Sequence, residues 1–109
     1  MSAYFPSADE CSKHTIFPGV RIRTAACERL MLSDVDLEPR SVVELHQHPH
    51  EQVGMVLAGR ARFIIGGEEK VLGPGDFYRI PGNTPHQVIV LDEPVRALDI
   101  FTPVREEYR

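Results

Sequence analysis

Histidine recurs at alternate positions of one short segment, His46, His48 and His50, followed by Gln52 with the same parity. On an extended strand such residues project from one face. Imidazole is the commonest metal-binding side chain, so the chemistry this spacing suits is ligation of a transition metal. An unbroken strand would fail at it: His46 and Gln52 would stand roughly 20 Å apart, against metal bonds of about 2 Å. Pro49 removes a ladder donor and lets the chain turn after His48. His46 and His48 are then an adjacent ligand pair, with a third donor from His50 or Gln52. His86, which opens a separate apolar run after a proline-bracketed turn, closes the site from across the fold. His14, alone near the amino terminus, is read as a surface or hydrogen-bonded residue.

A second signal lies in Leu98-Asp99-Ile100-Phe101, where strand parity puts Asp99 and Phe101 on one face and Leu98 and Ile100 on the other. Burial raises a carboxyl pKa toward neutrality, which suits a group that both gives and takes a proton. The competing reading is an aspartate at a strand end, or one paired with Arg96 or Arg105.

The elements that must position these groups are short. Nine prolines and eight glycines punctuate the 109 residues, and between them lie runs rich in Val, Ile and Phe, the rhythm of an all-β sandwich or barrel. The stretch from Val20 to Glu38 alternates with period two rather than 3.6, with room for one helical turn at Ala25 to Met31. Further strands are expected at Val42 to His48, Gln52 to Leu57, Ala61 to Ile65, Glu69 to Leu72, Asp76 to Ile80, His86 to Leu91 and Val95 to Phe101. Gly66-Gly67 marks a two-residue hairpin, and Gly73 to Asp76 and Pro81 to Pro85 mark turns. The whole span 1–109 reads as one domain, with a barrel core at about 36–102, and with the first 18 residues and the charged tail as arms.

The net charge is −4, with Lys and Arg scattered, so no nucleic-acid footprint is visible and an anionic ligand must be drawn by a local cation. Cys11 and Cys27 match no redox or zinc pattern and are expected as reduced thiols. With neither a leader-like nor a membrane-spanning run, the expected location is cytoplasmic. Val42, Val43 and Leu45, and the run Val88 to Leu91, place apolar groups on both faces of their strands, for which a homodimer would supply cover.

The run from Arg40 to Val90, about half the chain, resembles the cupin family in both of its short motifs. The first is His46-x-His48-x-x-x-Gln52 followed by Gly59, and the second is Gly75, Pro81 and His86. Arg40 and Asn83 stand where the family usually has glycine, Gln52 replaces the usual glutamate, and Val90 replaces a frequent asparagine. The resemblance implies a single-domain jelly-roll β-barrel with one divalent transition metal ion, Zn, Ni, Fe, Co, Mn or Cu, on His46, His48, Gln52 and His86. His50 would stand nearby, outside the ligand set. Three neutral imidazoles and a neutral amide would leave the ion's double charge uncompensated, favouring a bound carboxylate or hydroxide.

With the tail Asp99-x-Phe101-Thr-Pro-x-Arg105-Glu-Glu-Tyr, the chain is similar to a subgroup of small pectin-degradation cupins. That subgroup opens the ring of 4,5-unsaturated uronate monosaccharides to the linear keto form. The resemblance carries catalytic or substrate-contacting roles onto Asp99, Phe101 and Arg105, with a small anionic sugar-like substrate. An Fe(II)-type dioxygenase and a non-catalytic sugar-binding or sensor module are the competing expectations.

Overall fold

The computed structural model describes residues Ser2 to Arg109. Ten strands run β1 (Ser12–Phe17), β2 (Val20–Ala26), β3 (Met31–Leu37), β4 (Val42–His46), β5 (Glu51–Ala58), β6 (Ala61–Ile65), β7 (Glu68–Leu72), β8 (Phe77–Ile80), β9 (His86–Val90) and β10 (Val95–Thr102). They form a six-stranded antiparallel sheet, in the order β1-β2-β3-β10-β5-β8, and a four-stranded one, in the order β4-β9-β6-β7. Two short 3-10 turns, Ala8–Glu10 and Glu106–Tyr108, are the only helical residues among those described. None of the described helices is long and apolar enough to cross a membrane.

Alternation decides which side chains meet between the sheets. Val20, Ile22, Val35, Leu37, Val56, Ile80, Val95 and Ala97 of the larger sheet and Ala61, Phe63, Leu72 and Val90 of the smaller one are buried in one core. Removing that apolar surface from water is the main stabilising term, at about 25 cal/mol per Å². The hairpin between β6 and β7 turns through Gly66 and Gly67, both at positive φ (56° and 84°), as a two-residue loop that follows the strand twist requires.

The larger sheet also carries a polar row on its inner face. Register places Thr24 opposite Ser33, Ser33 opposite Asp99, Asp99 opposite Gly54 and Gly54 opposite Tyr78. The next inward row holds Met31, Phe101, Gln52 and Ile80. The two carboxyl-terminal candidates, Asp99 and Phe101, thus lie side by side on β10 with Gln52 diagonal to Asp99.

Two sequence expectations are corrected. The amino-terminal segment is not a free arm, because Ser12–Phe17 pairs with β2, and the sheet therefore begins well before residue 36. Its alternation is weak because an edge strand is only half covered. The tail packs as well: Val104 is buried beside Met31 and Phe101, and Tyr108 rests on the core. The helical turn allowed at Ala25 to Met31 is instead the tip of the β2–β3 hairpin, closed by Cys27 N–H donating to the Leu30 carbonyl at 2.9 Å. Cys11 and Cys27 are free thiols.

Apolar groups meet solvent most heavily not on β4 but on the outer face of the larger sheet. There Ile100 lies opposite both Leu32 and Val53, and Met55 lies opposite both Leu98 and Phe77. Phe77 is 78% exposed. On the same outer face, Asp34 of β3 accepts from Arg23 of β2 at 2.9 Å and from Arg96 of β10 at 3.0 and 3.1 Å, tying three strands. Hydrogen bonds from Arg96 hold its carboxyl pKa below the ordinary value, with Arg23 adding to them against a smaller effect of burial. A depressed folded-state pKa stabilises fully above the unfolded value of about 4, and the contribution is lost as pH falls through the folded value. Replacing Asp34 with Asn is therefore expected to cost about 1 kcal/mol at neutral pH, or roughly 5 °C in thermal midpoint. The difference from the parent should shrink as pH falls through the lowered folded-state pKa of Asp34 in a thermal-melt series.

Candidate metal centre and proton-transfer site

The histidine cluster is assembled by a change of sheet. β4 ends at His46 in the four-stranded sheet, the chain turns through His48 and Pro49, and β5 starts at Glu51 in the six-stranded sheet. Gln52 therefore enters from the opposite wall rather than from 20 Å along the same strand. His46 and His86 are cross-strand partners of β4 and β9, with ring centroids 4.3 Å apart. The turn after β8 is docked on the histidine loop by the Asn83 N–H, which donates to the His48 carbonyl at 2.7 Å. His48 then stands 4.9 Å from His86, edge-on.

The three rings share a tautomer imposed by the backbone. Nδ1 of His46 lies 2.7 Å from the Glu44 carbonyl, Nδ1 of His48 lies 3.0 Å from the His50 carbonyl, and Nδ1 of His86 lies 2.8 Å from the Thr84 carbonyl. A carbonyl only accepts, so each Nδ1 carries the proton and each Nε2 is left with a lone pair. Ligand-capable nitrogens of His46, His48 and His86 lie within 4.8 Å of one another. His48 Nε2 is buried with no hydrogen-bond partner. Burial pushes the His48 pKa down to about 4, with Arg105 and His86 adding to the effect, and burial lowers that of His86 too. Neutral imidazoles, pre-oriented Nε2 lone pairs and an orphaned buried nitrogen fit a transition ion. These three residues can hold one.

Gln52 is buried and lines the same cavity as His46 and His86. The cavity, about 70 Å³, has an apolar end at Val20, Val35 and Phe63 and a polar end at the histidines. His50 is outside the three-ring group: its carbonyl supports His48, and its ring lies 5.6 Å from that of His48. His14 sits in β1, with its ring 5.5 Å from Tyr108.

Asp99 faces this cavity from the middle of β10, 9% exposed, and pairs with neither Arg96 nor Arg105. The Tyr78 hydroxyl donates to its Oδ1. Burial raises the Asp99 pKa to about 6, against opposing pulls from the Tyr78 hydroxyl, the nearby Gln52 carboxamide and Arg105. Phe101 is buried edge-on to His48, with centroids 5.8 Å apart. The Arg105 guanidinium lies over the rings of Phe101, at 5.4 Å, and Tyr108, at 4.5 Å. Its Nε donates to Glu107 at 2.8 Å, and its two terminal nitrogens make no hydrogen bond among the described residues.

Sequence reasoning missed Tyr78, Gly54, Phe17 and Tyr108. Tyr78 shares inward parity with Ile80 in β8, but only the β5–β8 pairing shows that it reaches Asp99 across Gly54. Phe17 packs 5.9 Å from His46, so the first strand helps wall the cluster. The tail is anchored by the Thr24 hydroxyl, which donates to the Tyr108 carbonyl at 2.5 Å.

A model of the cupin domain matches residues 33–101. The chain belongs to the cupin family. This cupin is 32% identical over 80 residues to the pectin degradation protein KdgF of Dickeya dadantii, a match covering 72% of this chain and 73% of that one. Over 57 residues it is 43% identical to the dimethylsulfoniopropionate lyase DddQ of Ruegeria pomeroyi, covering 51% of this chain but only 28% of the lyase. The solved structure of KdgF from a Halomonas species superposes with a TM-score of 0.85 at 29% identity, covering 97% of this cupin and 98% of that chain. The two antiparallel sheets are thus the cupin jelly roll.

Proposed function

We propose that this cupin is a metal-dependent enzyme that opens the ring of 4,5-unsaturated uronate monosaccharides to the linear keto form, as in pectin or alginate breakdown. One observation carries the reading: a buried carboxyl, Asp99, faces the same cavity as His46 and His86, two of the three imidazoles whose nitrogens gather within 4.8 Å of one another. The likeness to two KdgF proteins supports it.

His46, His48 and His86 would hold the ion, with the Gln52 carboxamide as fourth ligand. When bound, it supplies a Lewis acid that polarises the oxygens attached to it. The free guanidinium nitrogens of Arg105 suit a bidentate contact with the substrate carboxylate, and Phe101 forms an apolar wall for the sugar ring. Asp99 gives its proton to the unsaturated ring carbon beyond the ring-oxygen-bearing one. Water adds to the oxygen-bearing carbon and returns a proton to Asp99. The resulting hemiketal opens when its hydroxyl proton passes to the departing ring oxygen, leaving a ketone.

The test is incubation of the metal-analysed protein with a panel of 4,5-unsaturated uronates, following loss of the double bond. Opening at the spontaneous rate for every sugar would sink the reading. Oxygen uptake in its place would assign an Fe(II) dioxygenase, and saturable binding without turnover a sugar-binding module. Arg105→Ala is expected to raise KM about tenfold or more with metal content unchanged. Pairing of two copies through the apolar outer face around Phe77 is part of this proposal, and sedimentation at the monomer mass of 12.3 kDa would exclude it.

A further inference from the structure

Gly54 lies in the inward row of the larger sheet between Asp99 on one neighbouring strand and Tyr78 on the other. A side chain there would fill the gap. A Cβ on Gly54 would stand 2.4 Å from Asp99 Oδ1, 2.4 Å from the Tyr78 hydroxyl and 2.3 Å from Tyr78 Cζ. Neither neighbour can swing aside cheaply, because Asp99 is buried and the Tyr78 ring is stacked against Phe63 with centroids 4.6 Å apart. The missing side chain is what lets a phenol on β8 reach a carboxyl on β10 across the intervening strand.

We infer that Tyr78 is a positioning residue, which grips Asp99 Oδ1 through the gap at Gly54 and leaves the second carboxyl oxygen as the only one able to exchange a proton with a ligand in the cavity. The contact has one direction. Burial, reinforced by the Asp99 charge, pushes the Tyr78 phenol far above its ordinary pKa, so it keeps its proton and donates a hydrogen bond to the Asp99 carboxylate. With one oxygen committed as acceptor, the carboxyl cannot flip between equivalent orientations, and the reacting oxygen is held at a fixed angle to the cavity. Ordering of this kind matters because misplacement of a reacting group by about 1 Å can cost about a hundredfold in rate.

The role as a catalytic positioner rests on the uronate reading, whereas the grip itself does not, so the test has two arms. In Tyr78→Phe the ring packing stays and only the hydroxyl is lost. On an unsaturated uronate, kcat is expected to fall about tenfold to a hundredfold with KM within about twofold. In the substrate-free protein, labelled with ¹³C at the aspartate carboxyls, the infrared band that disappears in Asp99→Asn should shift in Tyr78→Phe. Gly54→Ala should reproduce both effects and add little to Tyr78→Phe, since both break the same contact. An unmoved Asp99 band overturns the inference whatever the rate does, and an unchanged kcat with a shifted band overturns the catalytic role. If the parent protein turns over no uronate, it is the functional reading that fails, and the infrared arm alone then decides whether the grip exists.

Discussion

Asp99→Asn is expected to lower kcat for uronate ring opening by about 10²- to 10⁴-fold, the usual contribution of a positioned general acid and base. Asparagine keeps the shape, and its carbonyl still accepts from the Tyr78 hydroxyl that meets Oδ1 in the parent. What it cannot do is carry a proton between the double bond and water. Folding should not suffer, because the exchange removes a carboxyl whose ionised form burial disfavours enough to raise its pKa to about 6. Metal content should also persist, since the three ring nitrogens and their backbone carbonyl supports are untouched. Steady-state rates and elemental analysis on one sample separate the outcomes. A rate within about threefold of the parent removes Asp99 from the mechanism, and loss of metal would make it a structural support instead.

Why Asp99 could be singled out from the sequence, and Tyr78 could not, has a physical explanation. Parity along one strand is local, so the shared face of Asp99 and Phe101 is legible from four residues. The partner across the sheet depends on register between strands distant in sequence, which no local pattern encodes. The same limit applies to the histidines. Pro49 signals that the chain turns after His48, but that the turn also switches sheets, bringing Gln52 in from the far wall, follows only from the strand order. Turn chemistry was more transparent: Arg40 and Asn83, the two positions where glycine would be usual, are the two non-glycine residues with positive φ among those described, at 65° and 60°. Asparagine tolerates that region, whereas arginine is strained there. The amino-terminal strand hides in the sequence because Pro6, Ser7 and Ser12 carry little core pattern and because, at a sheet edge, His14 and Ile16 are only half-buried between the exposed Lys13 and Thr15. The tail misled for the opposite reason: Arg105 to Arg109 reads as charged, yet Tyr108 packs on the core.

The metal centre itself predicts a reversal of relative stability. In chelated protein His48→Leu should be as stable as the parent or up to about 2 kcal/mol more stable. It loses the hydrogen bond from Nδ1 to the His50 carbonyl, a net cost of about 1 kcal/mol, and gains by removing the orphaned buried Nε2, a desolvation penalty of about 1 to 3 kcal/mol. With saturating Zn or Ni the ranking opens widely. A ligand held at a hundred times its dissociation constant stabilises the folded state by about 2.7 kcal/mol, or roughly 10 to 20 °C for a chain of this size. The parent should show that rise. His48→Leu should show little of it, because one of the three nitrogens gathered within 4.8 Å is gone. Thermal melts of both proteins, with chelator and with metal, give the four values needed for each ion. Equal metal-induced rises in parent and variant would mean that the ion binds elsewhere, and no rise in either would mean that the three imidazoles do not form a metal centre.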